Sequence, residues 1–273
     1  MERPPDVRAG DADRERAATD MRELLAIARE AALASGELLR ERFEAGRERR
    51  IASKSTPTDP VSEADLASQR AIRALIAARR PADAFLAEEE GADDAGSSGL
   101  RWVVDPLDGT VNFLYGIPQW SVSVAVRDER GALAGVVHDP VAGETFTALR
   151  GEPPARNGAP LPSRAADTPA LSQSLVATGF AYAAQTRAEQ GAIVARLLPQ
   201  VRDIRRFGSA ALDLCWTAAG LYDAYFERGV KAWDTTAGAL VCTGTGLVVR
   251  AIPEGILVAP PALVDALEQI VIG

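Results

Sequence analysis

The residues best placed to do chemistry in this chain are carboxylates. In Trp102-Val-Val-Asp105-Pro-Leu-Asp108-Gly109-Thr110-Val-Asn-Phe113, two acids, a glycine and a hydroxyl fall within six positions. An apolar strand over 100–105 delivers Asp105 at its end, Pro106 stops the ladder, and Asp108 turns back into the same volume. Gly109 and Thr110 then open a helix whose free N–H groups face an anion. Carboxylates, a hydroxyl and amide donors this close together suit a metal ion with a phosphate. Taken alone, the string also reads as a turn with two solvated aspartates. Asp65 scans as the fourth place of a capping box from Ser62, Glu88 and Glu89 as an acidic loop, and Asp234 as a first-turn helix acid.

Composition narrows the chemistry to those acids. The 273 residues carry one histidine, His138, which excludes a multi-imidazole metal centre and disfavours a Ser-His-Asp triad. Two cysteines, Cys215 and Cys242, make neither a disulfide framework nor a zinc knuckle. A net charge of −8 argues against direct nucleic-acid binding. No apolar run is long enough for a membrane span, so the expectation is a cytoplasmic protein with no membrane partner. His138 reads as a hydrogen-bonding residue, and Cys215 and Trp216 as core. Arg205 and Arg206 read either as substrate-side charge or as part of an interface. Phosphatases that form an aspartyl-phosphate separate two aspartates by one residue; here Pro106 and Leu107 intervene, which disfavours that covalent route.

Such acids need elements to converge them. Met1 to Thr19, rich in Pro, Arg and Asp, reads as a disordered tail. An amphipathic helix is expected from Asp20 to about Arg47, and a second from Ser62 to about Arg80, ending at Pro81. Strands follow at 100–105, 121–127, 133–139 and 144–149 in immediate succession, which predicts a largely antiparallel sheet. The Pro- and Gly-rich stretch from Gly151 to Thr168 is the candidate internal boundary, dividing one domain over 20–273 into halves 20–150 and 169–273. The second half alternates strands near 175, 204, 223–227, 246–250 and 255–258 with helices near 185–201, 208–220, 233 onward and 261–270. The fold class is α/β, with α+β layering of helices and sheets.

In order and spacing, these strings resemble the inositol monophosphatase family, most closely its bacterial branch. The likeness runs from Met21 to Asp234 and thins beyond. Its carriers are the Asp105–Phe113 string, Trp233-Asp234 followed by Ala237-Gly238, and Arg205-Arg206-Phe-Gly208-Ser209-Ala-Ala-Leu-Asp213-Leu. The resemblance implies a family-like fold and Mg²⁺-dependent hydrolysis of a small phosphomonoester. Myo-inositol monophosphate is the first substrate it implies; histidinol phosphate, a sugar bisphosphate and a 3′-phosphonucleotide share the chemistry. Two to three Mg²⁺ ions are implied: one on Glu88, Asp105 and the carbonyl of Leu107; one on Asp105, Asp108 and Asp234; and a looser third near Glu88 and Asp65. Thr110 with Glu88 would orient the attacking water, aided by Asp65, and the amides of Gly109 and Thr110 would take the phosphate, next to Asp108. Glu227 would contact substrate hydroxyls, with Ser209 and Ala210 beside it. A homodimer is implied, and a binding role with the transcription machinery is the non-catalytic alternative. Two departures stand out. Ala87 replaces a common glycine, and Gly244-Thr-Gly-Leu247 replaces the usual Glu-Ala-Gly-Gly behind Asp234.

Overall fold

The computed structural model describes residues 7–46, 52–53, 60–61, 63–89 and 93–273. In chain order come α1 (Val7–Ala45), a minimal hairpin of β1 (Ala52–Ser53) and β2 (Pro60–Val61), α2 (Glu63–Arg79), β3 (Ala84–Ala87), β4 (Asp93–Asp94), β5 (Arg101–Asp108) and α3 (Thr110–Tyr115). Then follow β6 (Ser121–Asp128), β7 (Gly131–Asp139), β8 (Glu144–Leu149), β9 (Ala155–Arg156) and β10 (Ala159–Pro160). The second half contains β11 (Leu175–Thr178), α4 (Ala184–Leu197), β12 (Asp203–Arg205), α5 (Ala210–Ala218), β13 (Ala224–Arg228), α6 (Ala232–Gly244), β14 (Val248–Ile252), β15 (Gly255–Ala259) and α7 (Val264–Ile272).

The first sheet has eight strands in the order β10-β9-β8-β7-β6-β5-β3-β4, and the second five in the order β12-β11-β13-β15-β14. All pairs in the first sheet are antiparallel except β3 with β5. In the second, β11 runs parallel to both neighbours while β15 runs antiparallel to both of its own. Helices α1 and α2 cover one face of the first sheet, α5 and α6 lie between the two sheets, and α4 and α7 cover the far face of the second. Three apolar clusters hold these five layers together. The first joins α1 and α2 to the sheet through Ile27, Leu39, Ile72 and Trp102; the second fills the middle around Leu214, Tyr225 and Val241; the third sits under α4 and α7 with Leu197, Phe226 and Leu267.

Three readings of the sequence are corrected. The helix expected from Asp20 reaches back to Val7, because the four alanines and three arginines of 7–19 have helical propensity that outweighs Gly10 and the two aspartates. The Gly151–Thr168 stretch is not a bare boundary: its β9–β10 hairpin adds two strands to the first sheet. Pro106 does not end β5. The strand continues to Asp108, and a register shift between Asp105 and Asp108 lets the proline pass. Of the proposed capping box, Ser62 lies outside the described residues. The departure at Gly244–Leu247 leaves a closed helix end. The Thr245 amide donates to the carbonyls of Val241 and Cys242, Gly246 takes a left-handed φ of 84°, and Leu247 is buried.

Helix α6 carries Asp234, and its seat depends on a glycine. A Cβ at Gly238 would stand 2.7 Å from Leu214 Cβ across the α5–α6 contact. Gly238→Ala should therefore destabilise the fold by about 1–3 kcal/mol through overpacking, despite a helix-propensity gain of about 1 kcal/mol. Urea denaturation checks this; a more stable variant would refute the close contact.

Candidate active site at the sheet junction

The register shift in β5 performs the geometric task at the site. In a regular strand, residues three apart face opposite ways. The bulge restores a common side, so Asp105 and Asp108 both line one cavity of about 330 Å³. Gly109 follows with φ 96°, a conformation that favours glycine, and its backbone lies against the carbonyls of Gln119 and Gly208. Thr110 then starts α3, and the amide of Phe113 closes the first turn on the Gly109 carbonyl. Asn112 anchors this turn by donating 2.7 Å hydrogen bonds to the carbonyls of Gln119 and Phe207.

Glu88, Asp105, Asp108 and Asp234 line the same cavity, with Leu107, Gly109 and Thr110 between them. Asp105 is fully buried and its Oδ1 accepts from the Leu107 amide at 3.0 Å. Asp65, buried on α2, stands behind Thr110, whose Oγ1 lies 3.0 Å from Asp65 Oδ1 and 3.1 Å from the Leu107 carbonyl. The Asp234 carboxylate accepts from the Lys231 amide at 2.6 Å, closing the first turn of α6. Ala210, Glu227, Arg206 and Lys231 line the same cavity, and Arg206 lies over the Phe180 ring. Arg205 turns away to pair with Asp203, which separates the roles of the two arginines. His138 bonds through Nδ1 with Thr145 and the Glu144 carbonyl, while Cys215 is buried and Trp216 packs against Phe207 and Tyr222.

Ser209 is placed differently from its expected role beside the substrate. It is fully buried, outside the cavity lining, and donates to Asp108 Oδ2 at 2.5 Å. As the N-cap of α5 it also accepts from the Leu212 amide. The amides of Ala210 and Ala211 join it on the Asp108 carboxylate at 3.2 and 2.8 Å. An acid at a helix N-terminus satisfies otherwise orphaned donors, and that demand takes precedence. Asn112 and Gly179 also shape the site without a role assigned from sequence. Gly179 was visible only as a glycine after a strand, yet a Cβ there would meet the Glu227 carboxyl.

Burial raises the acids, and neighbouring carboxylates add to it. Removal from water pushes Asp108 up to about 6, helped by the Glu88 charge, against the lowering effect of Ser209 and the α5 amides. Asp234 is pushed well above the usual carboxylate range by burial, then by Asp108 and Glu88. Burial carries Glu227 to about 7, with Asp108 adding to it, while the Tyr225 hydroxyl at 2.8 Å and Arg206 oppose. Two carboxylates about 4 Å apart repel by about 4 kcal/mol at an effective dielectric near 20. Among the described residues no three acids converge as a ready-made metal cage. The donors are nevertheless hard oxygens in a partly desolvated cluster of like charge, the chemistry that suits Mg²⁺ over softer ions.

Comparison with known proteins identifies the lineage of this cavity. The model of the inositol monophosphatase family matches residues 20–268. The chain belongs to that family. The match extends past Asp234, where the motif likeness thinned, and into α7. An inositol-1-monophosphatase of Mycobacterium leprae is 43% identical over 236 residues, covering 80% of this chain and 79% of that protein. A relative in Pasteurella multocida named Nus factor SuhB is 42% identical, with 84% of this chain and 85% of that protein covered. The crystal structure of the extragenic suppressor protein suhB from Bartonella henselae superposes with a TM-score of 0.84 at 30% identity, covering 91% of this chain and 98% of that one. The family has an α/β layered fold, as found here.

Ser209→Ala removes a bond that favours the charged form of Asp108, so the Asp108 carboxyl should titrate above 6 in the metal-free protein. A hydrogen bond to a charged group is worth about 1.5–3 kcal/mol, which corresponds to roughly one to two pH units. Carbon-detected NMR titration reads the shift; a downward movement would contradict the assigned geometry.

Proposed function

We propose that this chain is a Mg²⁺-dependent phosphatase that hydrolyses a small phosphomonoester, with myo-inositol monophosphate as its substrate. One observation carries the reading. A single cavity is lined by the acids Glu88, Asp105, Asp108 and Asp234, by the Gly109–Thr110 turn, and by Glu227 with Arg206. A dianionic ester of a polyol needs both halves: neutralised acids for its phosphate and an acceptor for its hydroxyls. Membership of the family supports the same reading, as does the name of the Mycobacterium leprae relative, an inositol-1-monophosphatase.

Glu88, Asp105 and the Leu107 carbonyl would hold one ion, Asp105, Asp108 and Asp234 a second, and Glu88 with Asp65 a looser third. Bound there, the ions would screen the phosphate charge, lower the pKa of a water and stabilise the leaving oxygen. The protein's own groups do the positioning. A threonine hydroxyl has one proton, and buried Asp65 is placed to take it, so Thr110 Oγ1 is left as an acceptor. It then aligns a water by accepting one of its protons, with Glu88 accepting the other. The Gly109 and Thr110 amides receive the phosphate. Glu227, braced by Tyr225, accepts from substrate hydroxyls. No acid is required to become phosphorylated, and trapping a phospho-aspartate during turnover would overturn the mechanism.

Phosphate release over a panel of inositol, histidinol, sugar and nucleotide phosphates, with and without Mg²⁺, tests the function. Inositol monophosphate should be hydrolysed fastest, and only with the ion. Asp105→Asn should lower kcat on the order of 100-fold or more while leaving the fold intact. A relative named Nus factor SuhB motivates the alternative of a binding role with the transcription machinery. Such a role should survive Asp105→Asn, whereas catalysis should not. Among the described residues no helix is long and apolar enough to cross a membrane. A cytoplasmic location and a homodimer are parts of this proposal, and sedimentation at micromolar concentration checks the latter.

The cluster also predicts a pH-dependent response to metal. Asp108 and Glu227 have raised folded-state values, about 6 and 7, from ordinary values of 3.8 and 4.5. The stability they contribute is complete below their ordinary range and is lost as pH rises through 6 to 7. His138 acts oppositely: burial lowers it from 6.5 to about 4, so its contribution is lost as pH falls through that window. His138 affects metal-free and metal-loaded protein alike. The rise in Tm on adding Mg²⁺ should therefore be larger at pH 7.5 than at pH 5, and an equal or smaller rise would count against the cation-binding cluster.

A further inference from the structure

We propose that Gln190, on α4 and outside the cavity, is a positioning residue that sets the substrate-facing wall. This inference rests on the phosphatase reading above. Two segments form that wall: residues 179–182, after β11, and residues 227–230, spanning the end of β13 and the loop to α6. They approach closely at two points. A Cβ on Gly179 would overlap the Glu227 carboxyl, and a Cβ on Gly229 would stand 3.2 Å from Ala181 Cβ. Neither contact has directional bonding that would fix it. Gln190 supplies the bonding: its Oε1 accepts from the Ala181 amide at 2.9 Å, and its Nε2 donates to the Arg228 carbonyl at 2.8 Å. One buried side-chain amide thus joins the backbones of both segments, with both of its ends in use.

The helix that carries Gln190 is itself firmly seated. Ile193 and Leu197 of α4 are buried with Val176 and Phe226 in the third apolar cluster. Arg187, one turn earlier, donates to the carbonyls of Ala181 and Tyr182, so α4 holds the first segment twice. What α4 fixes is the separation between Phe180, which carries Arg206, and Glu227, the hydroxyl acceptor. The phosphate side belongs to β5, α3 and the start of α6, which Gln190 does not touch. Loss of the clamp should therefore weaken recognition of the polyol and leave handling of the phosphate intact.

The test uses Gln190→Met, which keeps the volume and loses both bonds, and Gln190→Asn, which is one methylene short of spanning both partners. Two esters are compared at saturating Mg²⁺: inositol 1-phosphate, which offers hydroxyls to Glu227, and p-nitrophenyl phosphate, which offers none. The expected result is a KM for inositol 1-phosphate raised about tenfold with kcat within about twofold, and an unchanged KM for p-nitrophenyl phosphate. Amide hydrogen exchange is followed in the same variants, and should quicken at 179–182 and 228–230 while the Lys231 amide, bonded to Asp234, and the core of the first sheet are unaffected. Unchanged exchange in those segments overturns the inference. So does faster exchange with both KM values shifted equally, or with neither shifted. If the unmodified protein hydrolyses neither ester, the phosphatase reading fails by itself; exchange confined to the two segments still upholds the clamp, and its absence still refutes it.

Discussion

The Asp108 carboxylate is the joint on which both halves of the molecule depend. It ends a strand of the first sheet, yet three donors from the start of α5, a hundred residues later, converge on it. Neither partner is comfortable alone. The helix would leave first-turn amides unsatisfied, and the acid would sit desolvated among other acids. The bond network places the N-terminus of α5 at the lip of the cavity, and α6, packed on α5 through Gly238, brings Asp234 to the same place. Position of the acids and docking of the halves are thus one problem with one solution.

The cost of that solution is stored charge. Burial takes these acids out of water and their like charges add to the strain, which is why Asp108, Asp234 and Glu227 all move upward. A net charge of −8 for the chain therefore says little about which ligands it repels. The charge that matters locally is that of the acids with their counter-ions, and the cavity lining also includes Arg206 and Lys231. The lone histidine, withdrawn into a buried neutral state, takes no part in that balance.

Much of this was legible in the sequence, because chemistry confined to a short string leaves a local signature. Asp105 to Phe113 announced a strand, a turn and a short helix, and that is what forms. Strand and helix periodicity likewise placed nearly every major element and the antiparallel character of the first sheet. What stayed hidden depends on partners distant in the chain. The bulge that turns Asp105 and Asp108 to one side comes from pairing with β6, and Pro106 read by itself suggests only a stop. Ser209 looked like a substrate neighbour until Asp108 was seen to claim its hydroxyl. Gln190 has no local signature, since its importance lies in two backbones that the fold brings to it. The first helix was cut short for a different reason: charge density was read as disorder when the same residues favour helix.

The strand order of the first sheet also bears on how this protein avoids sticking to itself. An open sheet offers unpaired amides and carbonyls at each end, an invitation to add a foreign strand. Here one end is the two-residue β10, whose Pro160 has no amide proton to give. The other is the two-residue β4, made of Asp93 and Asp94, whose carboxylates pair with Arg101 and Arg73. Both margins are too short and too charged or too donor-poor to template a ladder. Addition of a strand from a second copy of this chain is therefore disfavoured at either end of the first sheet.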